Sequence, residues 1–229
     1  MGPTLEYGTN NLWPTPVRLR NLLEDGRVAP ELHEWLDRYA ENPRLLSSKN
    51  RNDRGYGRQD GSVFTMPQHR EIEEITEVLT GQVDEYVRET MPPLQPGHEK
   101  KAMMWFLIQR PNVLQDVPGP HCHEAGDVAF TYYLSVPGDG SGVLMLLDPR
   151  GAIHRGGRAF PRPYGGLSYQ PRRGDLVIFP RYLTHDSSVN TDGYLRKLIA
   201  GVLRYDLPHE TTDRYWIDLA RTTVPVEVE

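Results

Sequence analysis

Apolar positions along this chain follow two periods, and the change falls near residue 100. Before it the spacing is helical: Leu32, Trp35, Leu36 and Tyr39 recur on one face after Pro30, a residue tolerated in a first helical turn. Ile72, Ile75, Val78, Leu79, Val83 and Val87 make a second stripe, predicting a helix from about Gln68 to Met91 that Pro92, Pro93 and Pro96 terminate. Residues 1–27 read as a loop-rich entry with a short apolar segment at Val17–Leu23. The polar, turn-forming run 43–62 reads as a long loop.

Beyond residue 100 the pattern becomes strand-like. Ala102–Gln109, Val128–Val136, Val143–Leu147, Asp175–Phe179 and Leu195–Tyr205 are short runs rich in β-branched, aromatic and aliphatic residues. They are separated by the turn PGDGSG, a Gly/Arg/Pro loop over 150–167 and the turn Pro171–Gly174. The tail after Pro208 is read as a short helix around Asp213–Arg221. Helices first and short strands later predict one domain over 1–229. In it a helical part, 1–98, packs on a mainly β core, 100–207, with a tail at 208–229.

Composition narrows the function classes. The 229 residues can bury a core without disulfides, and the single cysteine, Cys122, suits a reducing cytosol. A net charge of −5 supplies no bulk attraction to nucleic acid or an anionic membrane. No window approaches a membrane span and no secretory leader is evident, so a cytoplasmic protein acting on a small molecule is expected, its oligomeric state unreadable. No G-x-S-x-G supports serine hydrolysis.

The candidate chemistry lies in the strand-rich half. On a strand, His121 and His123 face the same side, so two imidazoles can converge on one ion; in a loop after Pro118-Gly119-Pro120 they are two surface histidines. His185 follows the apolar strand DLVIF and Pro180, which puts it at a strand end. Arg196 opens the last strand. There it is either a solvated edge residue or a guanidinium inside the barrel mouth, suited to a carboxylate, and Lys197 faces the other way. Of Tyr132 and Tyr133 only one points inward.

The segments PGPHCHEAGDVAFTYYLSVPGDGSGVLMLLDPRG and QPRRGDLVIFPRYLTHDSSVNTDGYLRK resemble the iron(II)- and 2-oxoglutarate-dependent oxygenases, in the branch with HxH…GDLxxFP…H…R motifs. The likeness spans roughly 101–205. It implies a double-stranded β-helix (jelly-roll, cupin-like) core, with Fe(II), 2-oxoglutarate and O2 as cofactor, cosubstrate and oxidant. It further implies iron ligands at His121, His123 and His185, and an anchor for 2-oxoglutarate at Arg196 assisted by Tyr133. Trp105 would line the pocket floor. The superfamily's usual set is two histidines and a carboxylate, so an all-histidine triad departs from it. Two alternatives stay open: His123-Glu124-Ala125 as a His-x-Ala site with an open position, and Glu124 as a ligand.

Residues 150–173 hold six arginines, Arg155 among them, and no acidic residue. This run is either a solvated loop or a basic lid drawing an anionic, amino-acid-like substrate toward the metal. The competing reading is a cupin that does not use 2-oxoglutarate, with Asp127 near the place of its acidic ligand, and Tyr182 and Asn190 in a degraded second motif.

Overall fold

The computed structural model describes residues 15–41, 69–94, 97–113, 119–123, 126–138, 141–147, 166–206 and 217–218. Its elements run β1 (Arg18–Asn21), α1 (Pro30–Tyr39), α2 (Arg70–Thr90), β2 (Glu99–Gln109), β3 (Val128–Ser135), β4 (Leu144–Leu147), β5 (Gly166–Tyr169), β6 (Asp175–Pro180), β7 (His185–Ser187), β8 (Arg196–Asp206) and β9 (Ile217–Asp218). The strands form a six-stranded sheet in the order β1-β6-β3-β8-β2-β9 and a three-stranded sheet, β5-β4-β7. Every pairing is antiparallel. The protein is thus mainly β with flanking helices, on a double-stranded β-helix core. No helix among the described residues is long and apolar enough to cross a membrane.

Both helices form where the periodicity places them. Pro30 begins α1, and Leu32, His33 and Leu36 make its buried stripe. In α2, Ile72, Ile75, Leu79, Val83, Tyr86 and Val87 are buried, and the helix stops at Met91, ahead of Pro92 and Pro93. These stripes cover one face of the large sheet, joining Met104, Phe106, Ile108, Phe130, Tyr132, Ile178, Ile199 and Leu203 in one apolar core.

The opposite face carries a second core: Trp105, Ala129, Tyr133, Val177, Phe179, Leu198, Ala200 and Val202, with Leu144 and Leu146 from the small sheet. The large sheet is therefore covered on both sides. That is why its central strands read as unbroken apolar runs rather than alternating ones. As alternation predicts, Tyr132 and Tyr133 point to opposite faces, with Tyr133 inward, and the cover on both sides leaves both fully buried.

Four short strands depart from the sequence reading. β1 lies within the expected entry loop, pairing Arg18–Asn21 with β6. β5 includes residues at the end of the expected Gly/Arg/Pro loop, and β7 is a strand that the periodicity does not predict. The tail at 217–218 is β9, paired with Lys101 and Ala102, instead of part of a helix. The expected loop over 43–62 and most of the Gly/Arg/Pro run lie outside the described residues.

Candidate metal centre

His121 and His185 face each other across an isolated antiparallel bridge: His121 N–H donates to His185 O (3.0 Å) and His185 N–H donates to His121 O (2.8 Å). Two residues on, His123 N–H donates to Arg181 O (3.1 Å), which pins the HxH segment beside the β6–β7 turn. Ring centroids are 4.3 Å apart for His121 and His185, 5.4 Å for His121 and His123, and 5.1 Å for His123 and His185. One ring nitrogen from each lies within 4.8 Å of the others. Cys122, between them, is exposed.

Hydrogen bonds set the tautomers. Nδ1 of His121 donates to Gly119 O (2.8 Å) and Nδ1 of His185 donates to Leu183 O (3.0 Å). A carbonyl accepts only, so each Nδ1 carries the proton and each Nε2 keeps its lone pair for a metal. Burial lowers the pKa of His123 to about 3, reinforced by His185 and His121. Burial, then His121, lowers that of His185 to about 4. Both are neutral ligands-in-waiting near neutral pH. Phe179 packs on His185 at 4.8 Å and Trp105 lies 6.0 Å from His123, so the ring positions are fixed by packing. Three converging imidazoles fit a first-row divalent ion, iron(II) included.

Asp127, the acidic ligand of the cupin reading, is not in this cluster. It is exposed, and its carboxylate accepts the Tyr205 N–H (2.9 Å). Asn190 is buried in a structural role, donating to the carbonyls of Gln109 and Tyr194, and Tyr182 is exposed. Glu124, Ala125 and Arg155 lie outside the described residues.

Arg196 begins β8 on the same inner face as Trp105 and Tyr133, and is 2% exposed. Its NH1 donates to Gln109 Oε1 (2.6 Å), and its NH2 lies 3.4 Å from the Tyr133 hydroxyl, whose ring it overhangs at 5.2 Å. Gly142 lets the neighbouring turn pass over the arginine stem. Its φ of +66° suits glycine, and a Cβ there would stand 2.7 Å from Arg196 Cδ. Burial pushes the guanidinium pKa down, with Tyr133 opposing. Nε of Arg196, Nε1 of Trp105 and Oγ1 of Thr131 are buried without a hydrogen-bond partner. Lys197 faces the other way, as alternation predicts, with Nζ 2.9 Å from Asp37 and 2.6 Å from Glu41.

The sequence reading missed Gln109, Ser187 and Thr131. Gln109 shares the parity of Trp105 on β2, so a polar residue ending the inward row Trp105–Leu107–Gln109 was the available signal. Thr131 sits beside Ala200 and Val177 on the inner face.

Residues 103–200 match the family model described as "Putative 2OG-Fe(II) oxygenase". No curated protein matches the chain. Among solved structures, a prolyl-4-hydroxylase from Pseudomonas putida is similar at TM-score 0.53 and 13% identity, over 84% of this chain and 87% of that one. A viral collagen prolyl hydroxylase from Paramecium Bursaria Chlorella virus-1 is similar at 0.52 and 12%, over 89% and 98%. The alpha-ketoglutarate-dependent epimerase SnoN from nogalamycin biosynthesis is similar at 0.50 and 14%, over 82% and 85%. At such identities the likeness establishes the fold, which hydroxylases and an epimerase share. With the family match over the strands that build the histidine cluster, residues 103–200 are similar to the iron(II)- and 2-oxoglutarate-dependent oxygenases, enzymes that use Fe(II), 2-oxoglutarate and O2.

Proposed function

We propose that His121, His123 and His185 hold the iron and that Arg196, assisted by Tyr133, binds the distal carboxylate of 2-oxoglutarate. One observation carries this reading. Three cations are buried among the described residues: Lys101, Arg196 and Lys197. Lys101 pairs with Asp206 (2.9 Å) and Glu99 (3.3 Å), and Lys197 with Asp37 and Glu41. Arg196 has no carboxylate among the described residues. A buried charge is costly unless paired, so a guanidinium held without a counter-ion on the metal-centre face suits an incoming anion.

In this reading the protein's own groups bind and orient. Arg196 and Tyr133 fix the far end of the cosubstrate, the histidines face its near end, and Trp105, Phe179 and Val202 exclude water from the wall between. Iron and 2-oxoglutarate, when bound, supply the oxidation of a C–H bond. The substrate is a small, carboxylate-bearing, amino-acid-like metabolite. The outcome is hydroxylation or oxidative cyclisation or desaturation, in tailoring of a natural product. The six arginines over 150–173 against a net charge of −5 support an anionic substrate, with Arg155 as a candidate contact. A cytoplasmic location belongs to the same reading, supported by the single, exposed cysteine.

The test is anaerobic. Protein loaded with iron(II) should develop a visible metal-to-ligand charge-transfer band on addition of 2-oxoglutarate, and Arg196→Ala should lose or weaken it. Iron bound with no band, or a band indifferent to Arg196→Ala, would remove the anchor role.

A further inference from the structure

The Gln109 side chain sits at the junction of three strands. Its Oε1 accepts from Arg196 NH1 (2.6 Å) and its Nε2 donates to Ser187 Oγ (2.7 Å). Its backbone carbonyl accepts from Asn190 Nδ2 (3.1 Å). Gln109 and Arg196 are direct partners in the β2–β8 register. Ser187 lies two residues from His185 on β7, in the other sheet, so both side chains share one face of that strand. One amide therefore links the arginine on the large sheet to the strand that carries a histidine of the metal centre. Gln109 is 1% exposed, and two partners of opposite kind fix which way the amide points.

The chemistry of that amide matters as much as its place. Among the described residues the other two buried cations, Lys101 and Lys197, are met by carboxylates, whereas Arg196 is met by a neutral group of the same shape. A glutamate here would reach the same guanidinium nitrogen, form an internal ion pair and neutralise the charge before any ligand arrived. A glutamine holds the fork in position and leaves its charge uncompensated.

We propose that Gln109 is a positioning and specificity-determining residue for the cosubstrate. It orients Arg196 through a neutral hydrogen bond, reserves the guanidinium charge for a dicarboxylate ligand, and ties the anchor to the His185 strand. The inference rests on the anchor role proposed above for Arg196.

The experiment measures 2-oxoglutarate affinity by anaerobic calorimetry on the full-length, iron(II)-loaded protein, with iron stoichiometry and thermal midpoint recorded for each variant. Q109E should bind 2-oxoglutarate roughly 100-fold more weakly than wild type, since the added carboxylate occupies the arginine. Its iron stoichiometry should be unchanged and its thermal midpoint no lower. Q109M keeps Arg196 charged and loses only the hydrogen bonds, so its affinity should fall roughly tenfold. Binding by Q109E within roughly threefold of wild type, or equal losses in Q109E and Q109M, overturns the charge-reserving role. Wild-type affinity in Q109M overturns the positioning role, even where Q109E yields no folded protein. Failure of the underlying reading looks different: the wild type itself would not bind 2-oxoglutarate, or Arg196→Ala would bind it as well as wild type.

Discussion

The two faces of the six-stranded sheet treat the same kinds of residue in opposite ways. On the helix-covered face Tyr132 donates its hydroxyl to Nδ1 of His33 (2.7 Å), while Nε2 of His33 donates to Leu134 O (3.0 Å). Lys197 on that face meets two carboxylates. One residue away along the same strands, Tyr133 and Arg196 turn inward, and there the hydroxyl is 3.4 Å from the guanidinium and no carboxylate among the described residues answers the charge. The buried polar atoms of Trp105 and Thr131, also inward, lack partners. On the outer face the buried charge of Lys197 is answered by Asp37 and Glu41, although Nη1 of Arg18, beside the second helix, is also buried without a hydrogen-bond partner. The inner face keeps hydrogen-bonding capacity in reserve, which costs stability and is retained where a ligand completes it.

The sharpest way to break this comparison is the adjacent pair Arg196 and Lys197. Arg196→Met should weaken 2-oxoglutarate binding roughly 100-fold or more. It should leave the thermal midpoint unchanged or raised, because a buried charge that meets no carboxylate among the described residues is removed. Lys197→Met should do the reverse, lowering stability by about 1–3 kcal/mol and leaving 2-oxoglutarate affinity intact. Equal destabilisation of both variants in thermal melts would erase the distinction between the faces.

Packing gives the next effect. Gly201 lies on the helix-covered side, where a Cβ would come within 2.5 Å of Phe130 and 2.8 Å of Met104. Gly201→Ala should cost about 1–3 kcal/mol in a denaturant titration through overpacking.

The tyrosines sharpen the contrast further. Tyr132→Phe strips a partner from the buried His33 and should cost about 1–2 kcal/mol. Tyr133→Phe loses only a long contact, so stability should move by less than about 0.5 kcal/mol, the effect falling on 2-oxoglutarate affinity.

The smallest effect is on pH dependence. Burial, then Arg173, lowers the pKa of His33 below its usual 6.5. The unfolded chain therefore takes up this proton more readily than the fold does. Stability from neutral His33 is full above that value and declines as pH falls through it. Metal-loaded His33→Gln should show a shallower loss of stability than metal-loaded wild type between about pH 7 and pH 5.

Much of this molecule is legible in local pattern. Both helices, the long strands and the opposite facing of Tyr132 and Tyr133 and of Arg196 and Lys197 follow from periods of 3.6 and 2, because a side chain's direction is set by its own backbone; which member of each pair faces the metal centre does not. The all-histidine cluster is legible as a motif, and the Gly142 turn beside Arg196 as a run of turn formers. Tertiary structure alone decided the rest. β1, β7 and β9 have two to four residues each and exist through partners distant in sequence, as when Ile217 pairs with Ala102. The burial of both Tyr132 and Tyr133 required layers on each side of the sheet. The lack of a counter-ion at Arg196 among the described residues, and the neutral amide of Gln109 beside it, became visible only once β2, β7 and β8 were brought together. Periodicity says which way a side chain points; only the packed chain says what it meets there.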